Sequence, residues 1–489
     1  MKKTLLILSL LLTAYSFSQV QIGSDIDGEV ADDLSGSSVS ISNDGNIVAI
    51  GANSNDGNGN LSGHVRVYKN IGGVWTQIGS DINGEAELNY SGSSVSLSSD
   101  GSIVAIGANS NEGSGGQSGH VRVYENTGGV WTQVGSDIDG EASGDFSGDS
   151  ISLSSDGSII AIGAKNNDGN GINSGHVRVY QNISGVWTQI GSDINGEAVR
   201  DSSGYSVSLS SDGNIVAIGG PGNDGNGNLS GHVRIYQNIG GIWTQVGSDI
   251  NGEAIGDNFG SVVSLSSDGN IVAIGGITNL GNFSGVVRLY RNISGVWTKI
   301  GTDINGEGTQ DGLLGISVSL SGDGNIVAIG ARLNDGNGSN SGHVRVYRNI
   351  SEVWTQVGID INGEAVGDNL GNSLSLSSDG NIVAIGAEFN DGNGFESGHV
   401  RVFDLSGVLS SEQFVLENTS MYPNPTNKEF TVRLSENIQF KKLRIYDSLG
   451  KYIIESDKKE VNIEKLSKGL YFVEITTDQG KATKKLIVN

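Results

Sequence analysis

Cysteine is absent from the sequence, and proline occurs only three times in 489 residues. Without cysteine the chain has no disulfides, thiolate metal sites or cysteine nucleophiles, so its folding depends on packing alone. Few prolines beside 77 glycines are typical of short strands joined by tight turns. Catalytic signatures are missing as well, since there is no G-x-S-x-G elbow, no H-E-x-x-H motif and no P-loop.

Long apolar runs are also scarce. One run, Leu5–Leu12, is too short to span a bilayer, and no later segment replaces it. It follows two lysines and precedes small residues that suit cleavage before Gln19. The sequence therefore predicts a signal peptide over residues 1–18 and export of the mature chain, with no transmembrane segment.

Positive charge is rare outside the C-terminal part of the chain. Residues 19–418 contain 14 Lys and Arg against 45 Asp and Glu, whereas residues 419–489 contain 13 against 9. Residues 19–418 are therefore strongly acidic and repel phosphate backbones and anionic headgroups, which excludes nucleic acid and bare membrane as partners. Cations, basic proteins and neutral glycans are the partners that this charge allows. The alternative is that the acidic residues serve only to keep the protein soluble.

Seven near-copies of one unit fill most of the sequence. The phrase Gly-Ser-Asp-Ile-Asn/Asp-Gly-Glu-Ala starts at Gly79, Gly135, Gly191 and Gly247, each 56 residues after the last, and looser copies precede and follow. A fixed period of this size indicates stacked supersecondary units that bury their apolar faces against one another.

The fourth unit shows four strand patterns. Tyr205–Ser210 alternates apolar with small polar residues, and Asp212-Gly213 supplies a tight turn. Ile215–Gly219 is continuously apolar, as in a strand buried on both faces, and His232–Tyr236 and Ile242–Val246 follow. Four-stranded sheets repeated around an axis form a β-propeller.

The two ends of the array predict a closed ring. The seventh unit stops after its third strand, whereas Gln19–Gly23 matches the fourth strand Trp75–Gly79 with no earlier strands before it. We therefore expect an all-β chain with a seven-bladed β-propeller closed by an N-terminal strand, followed by a small β-sandwich. The predicted domains are a signal peptide at 1–18, the propeller at 19–405, a linker at 406–418 and a C-terminal domain at 419–489.

One unit carries a family resemblance. Asn258–Leu265 followed by Ile271–Gly276 resembles the FG-GAP repeat of integrin-α-like propellers, with Kelch-like propellers as the alternative. The resemblance implies Ca²⁺ in the hairpin between the first two strands. Here that hairpin, for example Ser99-Asp100-Gly101, offers one carboxylate where the family has three, so we expect it to be metal-free.

Repeated polar and aromatic positions offer further candidates. All six histidines occupy one third-strand position, and the six tryptophans occupy one fourth-strand position. Packing, with each histidine bonded to a turn, is the favoured interpretation; a metal ring and ligand stacking are the alternatives. The loop between the second and third strands, Asn-Asp-Gly-Asn-Gly, offers either a weak Ca²⁺ site or an Asx-type turn. Its candidate metal ligands are Asp56, Asp168, Asp224, Asp335 and Asp391.

Strand alternation predicts that these loops share one face with the segments that join consecutive units. The units differ on this face, and binding residues belong on loops carried by a rigid scaffold; neutral drift is the alternative. The candidate ligand-binding residues are Asn89, Tyr90, Arg200, Glu388 and Phe389.

The tail has its own signature. It opens with Tyr422, Pro423, Asn424 and Pro425 and closes with Lys484 and Lys485 before Leu-Ile-Val. It resembles the type A C-terminal sorting domain of the type IX (Por) secretion system of Gram-negative bacteria; a carbohydrate-binding or Ig-like sandwich is the alternative. The resemblance implies delivery by the type IX machinery to the outer-membrane exterior or the medium.

Catalysis is not expected, because an active site needs a unique constellation and nearly every titratable group here is repeated. We therefore predict a non-enzymatic binding or adhesion propeller with a glycan or protein ligand. A polysaccharide hydrolase or lyase is the alternative, because carboxylates are abundant, and a self-associating surface-layer component is a third possibility.

Overall fold

The computed structural model describes residues 19–277, 284–306, 314–409, 415–416, 418–435, 438–448, 450–477 and 480–489. The chain divides into two compact units, one spanning Val20–Ser406 and one containing Gly407–Asn489. The predicted signal peptide lies outside the described residues. The domain boundaries drawn from the sequence at 405, 418 and 419 stay predictions.

Each repeat of the first unit folds into one antiparallel sheet. In the first sheet Ser35–Ile41, Ile47–Ala52, His64–Ile71 and Val74–Gln77 follow one another in order. A short fifth strand, Ile82–Asn83, pairs with the start of the third strand. The sheet therefore extends beyond the four strands predicted from the sequence.

The part of the chain that the structure describes before residue 406 holds seven such sheets. The other first strands are Ser91–Leu97, Ser150–Leu153, Ser206–Leu209, Val262–Leu265, Leu314–Leu320 and Ser373–Leu376. The other second strands are Ile103–Ala108, Ile159–Ala164, Ile215–Gly220, Ile271–Gly276, Ile326–Ala331 and Ile382–Ala387. The other third strands are His120–Thr127, His176–Ile183, His232–Ile239, Val286–Ile293, His343–Ile350 and His399–Asp404.

The fourth and fifth strands repeat in the same way. The second to sixth sheets have the fourth strands Val130–Gln133, Val186–Gln189, Ile242–Gln245, Val296–Lys299 and Val353–Asn362. The second to fifth sheets have the short fifth strands Ile138–Asp139, Ile194–Asn195, Ile250–Asn251 and Ile304–Asn305. In the sixth sheet, the strand Val353–Asn362 runs continuously through both positions.

In the seventh sheet these two positions are filled by the beginning of the chain. Val20–Gln21 and Ile26–Asp27 both pair antiparallel with His399–Asp404. Gln21 lies opposite Phe403, and the Ile22 amide donates to the Val402 carbonyl over 2.8 Å.

Apolar side chains fill the space between neighbouring sheets. Second-strand residues such as Val48 and Ile50 are fully buried because the strand is covered on both faces. The first and seventh sheets share a core of the same kind, in which Ile50 and Val39 pack with Val400 and Val402. Burial between sheets is therefore the main stabilising contact in this cysteine-free chain.

A circuit of backbone hydrogen bonds links the turns that follow the first strands. The Asn43 amide donates to the Ser99 carbonyl over 2.8 Å, and the pattern repeats from sheet to sheet. The Ser378 amide donates back to the Asn43 carbonyl over 3.1 Å. The unit is thus all-β and propeller-like, with each sheet bonded to the next.

The C-terminal unit consists of two sheets around one apolar core. The three-stranded sheet contains Thr419–Tyr422, Glu429–Leu434 and Glu460–Asn462. The four-stranded sheet contains Tyr452–Ser456, Phe440–Asp447, Gly469–Thr477 and Lys481–Val488. Phe430 from the first sheet and Leu443, Val473 and Leu486 from the second are buried together. One helical turn, Ser406–Leu409, precedes the strands of this unit in the sequence.

Candidate functional site

The sheets of the first unit carry their connections at two ends. The loop after the second strand bonds to the segment that joins consecutive units, since Asn58 Nδ2 donates to the Gly84 carbonyl over 2.8 Å and the Leu88 amide to the Asn60 carbonyl over 2.9 Å. The other two hairpins lie together at the opposite end, where the Asn70 amide donates to the Asn46 carbonyl over 2.9 Å. We call the first end, formed by loops such as 53–63 and segments such as 84–90, the loop face.

The five candidate metal ligands lie in the loops after the second strands. One carboxylate oxygen of each accepts a backbone N–H five residues later over 2.8 Å, as in the bond from the Leu61 amide to Asp56. The same bond is made by Asp168, Asp224, Asp335 and Asp391. The Asx-type turn of the loop is made by the preceding asparagine, since Asn55 Oδ1 accepts the Gly57 N–H over 2.8 Å. A Ca²⁺ ion would have to compete with the backbone for the aspartate oxygens. Calcium binding here stays a prediction.

The candidate ligand-binding residues lie on the loop face of three different sheets. Asn89 is buried, Tyr90 is half-buried and Arg200 is exposed; Tyr90 and Arg200 have φ of 53° and 67°. Glu388 is buried and Phe389 half-buried, directly after the seventh second strand. They therefore mark several points on the face, and their role in binding stays a prediction.

The first strands of all seven sheets line one cavity of about 280 Å³ at this end of the unit. We call it the axial cavity. Its outermost lining position is occupied, in unit order, by Ser37, Ser93, Asp149, Tyr205, Ser261, Ile316 and Asn372. The residue that follows each second strand also varies, and the seven are Asn53, Asn109, Lys165, Pro221, Ile277, Arg332 and Glu388. Those at 109, 165 and 332 bond to residues of this rim.

Two polar clusters lie on the rim of the axial cavity. In the first, Lys165 Nζ lies 2.7 Å from Asp149 Oδ2 and 5.1 Å from the centre of the Tyr205 ring. Asn109 Nδ2 also donates to Asp149 Oδ1 over 2.8 Å. The cationic group is thus neutralised by its neighbour, and the tyrosine, 42% exposed, is held beside it.

In the second cluster Arg332 donates to Asn372 Oδ1 over 2.9 Å. Burial raises the pKa of the neighbouring Glu388 to about 7, although the positive charge of Arg332 opposes the shift. Near neutral pH this carboxyl group can therefore hold or release a proton.

A different cluster is repeated between neighbouring sheets. His176 is 1% exposed, with its Nδ1 3.8 Å from Glu141 Oε2, and Arg178 lies 3.6 Å from the same carboxylate. Burial, together with Arg178, lowers the pKa of His176 to about 4, so the imidazole is neutral at pH 7. One possible metal-ligand atom from each of Glu141, His176 and Asp193 lies within 4.8 Å of the other two, so the three could in principle hold a metal ion.

The arginine gives this cluster a structural role. Arg178 donates to the Asp139 carbonyl of the preceding sheet over 2.7 Å, and its guanidinium lies 5.5 Å from the Tyr180 ring centre. A cation therefore already stands beside the Glu141 carboxylate, which disfavours a metal ion. The histidines pack between sheets, but the Nε2 of His120 and of His232 has no hydrogen-bond partner, so the expected bond to a turn is not made there.

The sorting motif connects the two ends of the C-terminal unit. Asn424 Nδ2 donates to the Lys485 carbonyl over 2.7 Å, and Asn424 Oδ1 accepts from the Ile487 amide over 2.9 Å. Tyr422 is exposed, with the Arg433 guanidinium 5.2 Å from its ring centre. The opening Tyr-Pro-Asn-Pro segment is thus bound to the last strand, which contains Lys484 and Lys485.

Two family models match parts of the chain. Residues 420–489 match the secretion system C-terminal sorting domain, and residues 304–347 match the FG-GAP repeat. The tail is a type IX sorting domain. The FG-GAP match falls on the sixth unit, one unit beyond the stretch whose motif is clearest in the sequence. The sorting domain marks the chain as an exported protein that the type IX machinery recognises and delivers to the cell surface or the medium.

Two solved structures are similar to the chain at low identity. One is a candidate 6-phosphogluconolactonase from Bacteroides uniformis, 14% identical, with a TM-score of 0.48 over 67% of this chain and 86% of that one. Another is the periplasmic gluconolactonase of Pseudomonas aeruginosa, 13% identical, with a TM-score of 0.45 over 87% of this chain and 95% of that one. Because the identities and TM-scores are this low, the lactonase activity of these proteins is not extended to this chain.

No curated protein matches the chain. Within the described part of the sequence, no helix combines the length and apolar character that a bilayer crossing requires.

Sequence reasoning missed most of the rim of the axial cavity. Of its polar residues, Glu388 was among the candidates, whereas Asp149, Lys165, Tyr205 and Arg332 were not. A comparison of the seven units at the position after each second strand would have found Lys165 and Arg332, and the same comparison at the start of each first strand would have found Asp149 and Tyr205, because the positions just before them repeat.

Proposed function

We propose that residues 19–405 form a seven-bladed β-propeller closed by an N-terminal strand. Three observations support this architecture: the pairing of Val20–Gln21 with the last sheet, the core shared by the first and seventh sheets, and the circuit of backbone hydrogen bonds that returns to Asn43. A closed ring leaves no sheet edge open for pairing with other chains.

We further propose that this propeller is a non-enzymatic binding or adhesion module whose ligand, a glycan or a protein, binds the loop face. The observation that carries the proposal is that the seven units share one scaffold and differ at the rim and loops of this face. Binding residues are expected on loops that a rigid framework holds in place.

Export supplies the context for this role. After removal of a signal peptide at residues 1–18, the sorting domain would deliver the propeller to the exterior of the outer membrane of a Gram-negative bacterium. Acidic loops that repel nucleic acid and anionic membranes suit a glycan or protein ligand there.

Arrays of glycans and of proteins, probed with the mature chain 19–489, test the proposed function. We expect a reproducible ligand whose binding weakens when Tyr90, Arg200 and Phe389 are replaced by the residues of other units, or when the axial rim is changed. Parallel arrays with Ca²⁺ and with a chelator decide whether calcium contributes. Silence on both arrays under both conditions would overturn the proposal.

One observation favours a second candidate, a polysaccharide hydrolase or lyase. The pKa of Glu388, raised to about 7 by burial, suits a general acid or base, and this carboxyl group has no copy in the other units. The test is to incubate the mature chain with a panel of polysaccharides and to measure the release of reducing ends or unsaturated products. Release that is lost in Glu388→Gln would support the enzyme and contradict the binding module. We expect no release.

A further inference from the structure

We infer that the axial cavity on the loop face is a binding site for a neutral saccharide, one or two sugar rings in size. The inference rests on the proposed binding function and names the site and ligand class within it. It starts from a difference between the two ends of the cavity-lining strands.

The lining varies more at one end of the first strands than at the other. At the end away from the loop face the same position carries serine in five units, Asn43 in the first and Gly322 in the sixth, and all seven residues take part in the backbone circuit. At the loop face the corresponding position carries serine in three units and four different residues in the others. The loop-face end thus varies more and carries acidic, aromatic and amide side chains, and this difference between the two ends points to a ligand.

Charge at the rim favours a neutral ligand. Lys165 lies 2.7 Å from the Asp149 carboxylate, and Arg332 donates to Asn372 beside the Glu388 carboxyl group. Lys165 is thus neutralised by Asp149, and Arg332 has a polar partner in Asn372 and a carboxyl group nearby in Glu388. With two basic and two acidic residues, the rim has no strong excess of either charge to recruit an ion.

Hydroxyl, amide and aromatic groups then remain to contact the ligand. The serine hydroxyls and Asn372 can exchange hydrogen bonds with sugar hydroxyls, and Tyr205, 42% exposed, offers an aromatic face for the apolar side of a sugar ring. A cavity of about 280 Å³ lies just below the usual range for small-molecule sites, which suits a small ligand. One or two rings of a neutral glycan fit this description.

The repeat itself supplies variants that are compatible with the fold. A rim variant combines Asp149→Ser, Lys165→Asn, Tyr205→Ser, Arg332→Asn and Glu388→Asn, each introducing the residue that the first two units carry at that position. A control variant combines Glu125→Gln and Arg348→Gln, which introduce the residue of the third and fourth units on third strands away from the loop face. Tyr205→Ser alone is the minimal variant.

The probes are neutral cello-, malto-, manno- and xylo-oligosaccharides beside uronic-acid and sulfated glycans, with calorimetry of the mature chain on the tightest hit. We expect a neutral oligosaccharide to bind, the rim variant and Tyr205→Ser to lose at least tenfold in affinity, and the control variant to bind as the native protein does. Thermal melting of all variants shows whether they are folded; if the rim variant is not, Tyr205→Ser decides.

The opposite results are distinguishable. If the rim variant binds normally while variants at Tyr90, Arg200 and Phe389 do not, the axial site is wrong and the proposed function stands. If only charged glycans bind, or if a protein and no glycan binds, the saccharide assignment is wrong. If nothing binds on any array, both the inference and the proposed function fail.

Discussion

At the scale of the residue, the glycine at the fifth position of each second strand sets the distance between neighbouring sheets. A Cβ added at Gly163 would overlap the Gly204 carbonyl oxygen of the next sheet and the Ser150 hydroxyl. The same contact recurs in other units, for example at Gly107 with Gly148. Glycine is needed here for close approach of two backbones rather than for an unusual φ.

We therefore predict that Gly163→Ala destabilises the protein by about 1–3 kcal/mol, the typical cost of overpacking. Gly116→Ala is the control, because its Cβ would meet only the Ser143 hydroxyl at 3.8 Å. Melting temperatures of the two variants provide the measurement. Equal melting temperatures would show that the sheets are not as close as the contact implies.

The buried histidines predict a loss of stability in mild acid. In the folded protein the pKa of His176 is lowered to about 4 by burial and by Arg178, against the upward effects of Asp193 and Asp145; Glu141 also faces it. In the unfolded chain the ordinary pKa is about 6.5. Because the unfolded state binds more protons in this window, stability is fully present above about pH 6.5 and falls as the pH drops toward 4.

For one imidazole the loss reaches on the order of 2 kcal/mol by about pH 5. His176→Val introduces the residue that the fifth unit carries as Val286, and we expect its melting temperature to fall less between pH 7 and pH 5 than that of the native protein. An unchanged pH dependence would mean that the histidine titrates normally in the folded state.

At the scale of the element, each tryptophan joins its sheet to the preceding one. Trp131 Nε1 donates to the Ile78 carbonyl over 2.8 Å, and Trp75 Nε1 donates to the Ile22 carbonyl over 2.7 Å. The acceptor in the second case belongs to the N-terminal segment. We predict that Trp75→Phe and Trp131→Phe lower stability by similar amounts, about 1 kcal/mol each.

Melting temperatures of these two variants compare an N-terminal contact with an internal one of the same geometry. A cost for Trp131→Phe with none for Trp75→Phe would indicate that the N-terminal segment does not bind the first sheet.

The strands follow closely from the residue pattern, with two instructive exceptions. Ile215–Gly219 is predicted from its apolar run and is present as Ile215–Gly220. The third strand, predicted to end at Tyr236, continues to Ile239 because Gln237 and Asn238 pair with the fourth strand. The short strand Ile250–Asn251 was not predicted, since two residues show no alternation and only pairing with His232 makes them a strand.

At the scale of the whole molecule, the repeat predicts the sheets but not the residues that meet on the axis. Asp149 and Tyr205 are 56 residues apart in the sequence and look like ordinary strand-edge residues. Their proximity through Lys165 depends on how neighbouring sheets pack. The polar clusters of the axial cavity therefore became visible only in three dimensions.

The central claim is that the chain's beginning completes its last blade. Gln21 and Phe403 face each other at a non-hydrogen-bonded position of the pairing, as do Tyr68 and Gln77 within the first sheet, where Cα atoms are close enough for a disulfide. The native chain has no cysteine, so an introduced pair is free of competing thiols.

The most direct measurement compares two double variants of the mature chain, Gln21→Cys with Phe403→Cys and the control Tyr68→Cys with Gln77→Cys. After mild oxidation, the free thiols of each protein are counted. We predict that both pairs form disulfides completely and that neither protein retains free thiols. A control that oxidises while the Gln21–Phe403 pair keeps both thiols free would contradict the closed ring.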